Sequence, residues 1–262
     1  MDAKLACLLL AGLLQGTPAL ARTAECTANS PNHTVAVLEL FTSEGCNSCP
    51  PADRWLSSLR DAPGNTGKLI PLALHVDYWD YIGWKDPFAR PAFAERQREM
   101  SLQAGSKVVY TPQFFIQGRP YKASATTPAL AGELTALNQR PPGADIALSL
   151  APAADGKLKV RVDARLRPDA TADGAELVVV LYENGLSHAV KAGENRGVTL
   201  HHDFVVRDWV GPLRLPANGH LTQTIPLALP ADSQPARLGV AAFVQGTRSR
   251  TVLQAVARDN CS

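Results

Sequence analysis

The chain has 262 residues, 45% of them hydrophobic and 19% charged, with a formal net charge of +2. Without a basic block to neutralise a run of phosphates, no nucleic-acid partner is expected. The composition is that of an ordinary globular protein, and the length predicts two domains.

Lys4 precedes the apolar run "LACLLLAGLL", and "ALA" at Ala19 to Ala21 supplies small residues of the kind a signal peptidase reads. This predicts a secretory signal peptide over residues 1–21, cleaved after Ala21. The run is too short for a permanent span, and no later segment reaches the roughly 18 apolar residues a transmembrane helix needs. A soluble periplasmic or secreted protein without a membrane anchor is therefore expected. Cys7 lies inside the apolar run, not at its end, which argues against lipid attachment.

The other four cysteines are Cys26, Cys46, Cys49 and Cys261. An even count in an oxidising compartment implies disulfides. Cys46 and Cys49 are too close to reach different distant partners without strain, so they are paired with each other and Cys26 with Cys261. The second bridge is expected to be structural, and closing so long a loop is worth at most about 5 kcal/mol in the loop-entropy model.

Strand-like runs ("VAVLELF", "LIPLALHV", "QFFIQ") alternate with helix-like ones ("PADRWLSSLRDA", "PFARPAFAERQREMSLQA", "PALAGELTALNQ") as far as Asn138. Such alternation predicts an α/β domain, assigned to residues 22–140. Beyond the connector "QRPPGAD" only β-like runs follow, from "DIALSLAP" to "TVLQAVAR". Period-2 alternation is clearest in "KLKVRVDARL", where Leu158, Val160 and Val162 face one way. Seven such runs predict an all-β, antiparallel sandwich-like domain over residues 144–262.

"LELFTSEGCNSCPPADRWLSSL" places Cys46 after a strand and Cys49 directly before Pro50 and Pro51. Proline suits the first turn of a helix, so the pair sits at a helix N-terminus. The partial positive charge there favours a thiolate and makes Cys46 the candidate attacking thiol, with Cys49 resolving. Cys46 is expected to be the more exposed of the two. Asp53 and Glu44 lie close by and oppose thiolate formation.

A C-x-x-C between a strand and a helix resembles the redox motif of the thioredoxin superfamily, and "VVYTPQFFIQG" resembles its cis-proline loop. The resemblance implies a thioredoxin-like fold for the first domain and a cis Pro112 facing the disulfide. It also implies that Thr111 offers its backbone to a substrate and that Glu39 is the buried acid serving the resolving cysteine. "LFTSEGCNSCPPAD", "HVDYWDYIGWKDPFA" and "YTPQ" together resemble the secreted family catalogued as domain of unknown function 1223. That likeness covers most of the chain and implies a thioredoxin-like domain with an appended β domain, but delivers no substrate, because the family itself has no established activity.

Tyr78, Trp79 and Trp84 crowd a loop expected beside the cysteines, as a substrate wall or as a hydrophobic cluster that fixes the loop. Asp77 and Asp80 lack a nucleophile–base set, which argues against a hydrolase. His201 and His202 are neighbours in a strand-like run and point to opposite faces. The expected activity is thiol–disulfide exchange with protein thiols and disulfides, recycled by a redox partner and needing no cofactor. The alternative is a non-catalytic carrier of Cu(I), for which Cys46, Cys49 and His75 supply suitable ligands.

Overall fold

The structure, a computed structural model, describes residues 26–62, 64–122, 127–153, 156–170 and 174–259. The expected signal segment and Cys261 lie outside the described residues. In chain order the elements are β1 (Cys26–Asn29), β2 (Ala36–Thr42), α1 (Pro50–Ser58), β3 (Leu69–His75), α2 (Pro91–Gln103), β4 (Gln113–Ile116), β5 (Arg119–Tyr121) and α3 (Thr127–Asn138). The second half supplies β6 (Ala144–Pro152), β7 (Lys157–Leu166), β8 (Ala175–Glu183), β9 (Leu186–Ala189), β10 (Thr199–His202), β11 (Val205–Arg214), β12 (His220–Ala228), β13 (Leu238–Gly246) and β14 (Val252–Asp259).

The strands do not divide at the connector. One eight-stranded sheet has the order β14-β13-β8-β11-β3-β2-β4-β5, so four strands of the second half continue the sheet begun by the first. The junction is a short parallel pairing in which Val205 opposes Ala73, and the Ala73 amide donates to the Phe204 carbonyl at 2.8 Å. In the other direction, β1 joins β6, β7 and β12 in a four-stranded sheet. The expected α/β thioredoxin-like domain followed by a separate all-β domain is therefore corrected. The chain is mostly β, in several sheets, and the largest sheet draws on both halves. Hydrophobic patterning reports which faces of a strand are buried and says nothing about which strand lies along its edge.

Two cores share this sheet. On β8, Leu177, Val179 and Leu181 pack with β6 and β7, while Val178, Val180 and Tyr182 pack with the helices and β2. On β13, Val240, Ala242 and Val244 alternate in the same way with Ala241 and Phe243. Strands buried on both faces read as continuous apolar runs, which explains "AELVVVLYE" and "LGVAAFVQ". The run "VTLHHDFVVRDW" is two strands, broken at Phe204, whose φ of 58° is left-handed. β10 pairs instead with β9 in a hairpin that stands apart from both large sheets.

Candidate functional site

β2 delivers the chain to the cysteine loop, and the two prolines start α1 immediately after Cys49, which is its N-cap. Cys46 and Cys49 form a disulfide with Cα atoms 5.5 Å apart. Gly45 lets this loop approach its neighbour closely, since a Cβ there would lie 3.0 Å from Trp79 Cβ. Asn47 and Ser48 face solvent, but both cysteines have 0% exposure. The expectation that Cys46 is the more exposed is corrected, because neighbours from distant segments close over it. The Thr111 carbonyl lies 3.8 Å from Cys46 Sγ, and Ser48 Oγ lies 3.2 Å from the same sulfur. The Thr111–Pro112 bond is cis. Trp79 Nε1 donates to Thr111 Oγ1 at 2.7 Å, so loop and cis-proline segment are tied together beside the disulfide.

The aromatic residues named from the sequence take separate places. Trp79 is at the disulfide. Tyr78 Oη donates to Gln97 on α2 at 3.2 Å, and Trp84 Nε1 donates to Glu44 Oε2 at 2.9 Å. Tyr81, which the sequence places in the same aromatic loop, is the one that stays exposed, while nothing in the sequence singles out Val108, Tyr110 and Val198. Among the described residues five large hydrophobic side chains are exposed, and four of them (Tyr81, Val108, Tyr110 and Val198) lie on the segments that contribute Trp79, Thr111 and Asn195 to the site.

Glu39, the acid expected to serve the resolving cysteine, has its carboxylate engaged elsewhere. It is buried in β2 and accepts a two-pronged ion pair from Arg96, at 2.6 and 3.0 Å. Arg96 also donates to Gln245 on β13 at 3.2 Å and stacks over Trp209. Glu39 thus joins α2 to the shared sheet.

The carboxylates near the pair are Glu44 and Asp53. Glu44 accepts from His188 at 2.9 Å, His202 at 3.3 Å and Trp84. Burial pushes its carboxyl up, but the hydrogen bonds from His202, His188 and Trp84 together outweigh burial and the charge of Asp86, holding it below the ordinary range. Asp53 follows Cys49 by one helical turn on the same face of α1 and is buried. Burial raises its carboxyl against the opposing pull of His202 and His75. His75 donates from Nδ1 to Asp86 at 2.7 Å. Burial lowers His75, yet the charge and hydrogen bond of Asp86 raise it overall. For Asp86, burial acts upward, while His75 and the amides of Glu44 and Phe88 hold it down.

The ligands named for Cu(I) are otherwise engaged in this oxidised form, where Cys46 and Cys49 are joined to each other. Among the described residues no three His, Cys, Asp or Glu side chains are placed to share an ion, and His75 is committed to Asp86. His201 is exposed and His202 buried, on opposite faces. Cys26 begins β1, and its sulfur lies 3.6 Å from the carbonyl oxygen of Asp259, while its expected partner, Cys261, lies outside the described residues.

The second half contributes a clamp that no sequence motif announced. Asn195, in the loop between β9 and β10, donates from Nδ2 to the carbonyls of Glu44 at 2.8 Å and Cys46 at 3.0 Å. The adjacent Glu194 accepts the Asn47 amide at 3.0 Å. A cavity of about 700 Å³ lies at the opposite side, between β5, α3 and the start of β14, and is lined by neither cysteine.

Fold and site together define a sheet-sharing, mostly β protein with an enclosed disulfide at a helix N-terminus, clamped by a hairpin from its second half. The chain belongs to the family described as "Protein of unknown function (DUF1223)", whose model matches residues 37–245. It is similar to the crystal structure of protein AGR_C_4864 from Agrobacterium tumefaciens, at 25% identity, covering 88% of this chain and 98% of that one with a TM-score of 0.62. It also shares a fold with HBP35 of Porphyromonas gingivalis, at 15% identity, covering 88% of this chain and 76% of that one with a TM-score of 0.67. No curated protein matches the chain.

Proposed function

We propose that this protein is a periplasmic or secreted thiol–disulfide oxidoreductase acting on protein thiols. The observation that carries the reading is the Cys46–Cys49 disulfide at the N-terminus of α1, with the Thr111 carbonyl against Cys46. The likeness of these two loops to those of the thioredoxin superfamily supports it. The start of the sequence supports export, and among the described residues no helix is long and apolar enough to cross a membrane. The exposed Tyr81, Val108, Tyr110 and Val198 favour a polypeptide partner, because exposed apolar side chains gathered on a site's own segments suit a protein surface.

In the reduced protein the Cys46 thiolate attacks a substrate disulfide. A Cys46–substrate bond forms, the substrate bond breaks, and the leaving thiolate takes a proton from solvent. Cys49 then gives its proton to Asp53 and attacks Cys46 Sγ, closing the internal disulfide and releasing the second substrate thiolate. Two electrons pass to the substrate. A dithiol partner reverses these steps to recycle the pair. Because both sulfurs are enclosed in the oxidised state, the reverse attack on Cys46 requires Ser48 or the Trp79–Thr111 contact to give way.

The test is equilibration with glutathione, thiol trapping and mass spectrometry, with Cys46→Ser as control. A reversible transition between roughly −270 and −120 mV is expected. A pair that stays oxidised well below about −300 mV is a structural staple and ends the proposal.

A further inference from the structure

We infer that Glu194, carried by the loop between β9 and β10, tunes the Cys46–Cys49 couple by placing a negative charge on the amide next to the attacking sulfur. The inference rests on the thiol–disulfide reading above and concerns the regulation of that site from the far half of the chain.

A thiolate at a helix N-terminus draws its stability from the helix dipole and from backbone amides that point toward it. Asn47, the residue after Cys46, owns one of the nearest amides. Here that N–H is already donated to Glu194 Oε2 at 3.0 Å, which occupies the donor and brings a carboxylate beside the sulfur. Both effects act against the Cys46 thiolate.

The loop around Glu194 is fixed on both sides. Asn195 is buried and holds two carbonyls of the cysteine loop. Gly193 has a left-handed φ of 72° and packs so closely that a Cβ would lie 3.1 Å from Ile82 and 3.2 Å from Trp84. Lys191 and Arg196, the cations of the same loop, are exposed and form no ion pair among the described residues. Glu44 adds a second carboxylate, but His188, His202 and Trp84 engage it. Asp86 accepts the Glu44 amide of the same loop at 2.8 Å but is paired with His75, whereas Glu194 turns its charge on the amide between the two cysteines. It is a positioning residue, touching the Asn47 amide and no reacting atom.

Destabilising the thiolate disfavours the dithiol state and moves the couple in the reducing direction. In equilibration with glutathione the Cys46–Cys49 bond breaks, one glutathione disulfide forms and two electrons pass to the pair. The two glutathione protons go to the cysteines, and Cys46 re-releases its proton in proportion to its acidity. A more acidic Cys46 therefore pulls this equilibrium toward the dithiol.

The experiment uses the full mature protein with Glu194→Gln, which keeps an oxygen acceptor for the Asn47 amide and loses the charge, and with Glu194→Lys, which reverses it. The Cys46 pKa is read from ultraviolet thiolate absorbance in a Cys49→Ser background, and the potential from glutathione equilibration at low and high salt. The pKa is expected to fall from wild type to Gln to Lys. The equilibrium constant for reduction is expected to rise about threefold and about tenfold, which is ~15 and ~30 mV at about 30 mV per tenfold. High salt should shrink both differences, since an exposed charge is screened within about one Debye length. Equal pKa values and equal potentials in three proteins with reversible transitions would overturn the inference. A pair that is not reversibly reduced in any of them would instead sink the exchange reading on which it rests.

Discussion

Replacing Glu39 with glutamine leaves the Arg96 guanidinium charged in a place almost closed to water. The two side chains are 1% and 10% exposed, and Arg96 is further held over the rings of Trp209 and Phe243. Glutamine retains the shape and one acceptor, so the loss is mainly that of the opposing charge. Removing one partner of a buried ion pair typically costs about 3–5 kcal/mol. At about 2–4 °C per kcal/mol for a chain of this size, the melting temperature should fall by roughly 6–20 °C. The double variant Glu39→Leu with Arg96→Met should recover much of that loss, because apolar packing commonly replaces a buried pair at little net cost. Urea and thermal unfolding measure the stability, and glutathione equilibration of the same samples measures the redox couple. The potential should stay within about 10 mV of wild type, since both Glu39 oxygens are engaged by Arg96 and the carboxylate serves the packing of α2 on the sheet. A Glu39→Gln protein as stable as wild type, or one with a clearly shifted potential at unchanged stability, would refute this account and return Glu39 to the role of buried acid.

Leu181→Ala and Phe243→Ala remove side chains that face opposite cores from neighbouring strands of one sheet. Losses of about 2–5 and 3–5 kcal/mol are expected, and each should lower one common unfolding transition by every probe. Two transitions moving separately would show that the halves fold as separate units. Glu44→Gln should destabilise by about 1–3 kcal/mol at neutral pH, the worth of charged hydrogen bonds to a buried carboxylate. The folded-state pKa of Glu44 is lowered, so its contribution is fully present above the unfolded value of about 4.3 and disappears as pH falls through the folded value below it. Urea midpoints of wild type and variant should therefore converge on acidification, and a gap that widens would contradict the network drawn around Glu44.

Features fixed by local chemistry were legible before the structure. The prolines after Cys49 start α1, the strand-to-helix position of the pair follows from the runs on either side, and "KLKVRVDARL" alternates in β7 with Leu158, Val160 and Val162 inward. The opposite facing of His201 and His202 follows from strand geometry alone. What escaped depends on who lies next to whom. Glu39 finds Arg96 57 residues further along, and Asn195 closes on Cys46 across 149 residues, distances over which one sequence carries no pairing signal. The continuation of β3 into β11 rests on a single opposed pair, Val205 and Ala73, and strand edges leave no trace in hydropathy. The burial of the cysteines escaped for the same reason, because their cover comes from elsewhere in the chain.

The two-sided burial of β8 and β13 also removes a safeguard against mispairing. In a strand with one wet face, a slip of one residue drives apolar side chains into water, and that cost proofreads the alignment. Here both faces are apolar, so a slipped pair would still look dry, and the alignment has to be read from polar marks at the ends. Gln245 opposes Glu176 at one end and donates to it at 2.7 Å. At the other end Glu183 opposes Leu238, pairs with Arg207 and accepts the Gln234 amide at 3.1 Å. These few groups act as end stops for a strand pair that would otherwise slide, so the alignment of the greasiest part of the molecule depends on its most polar neighbours.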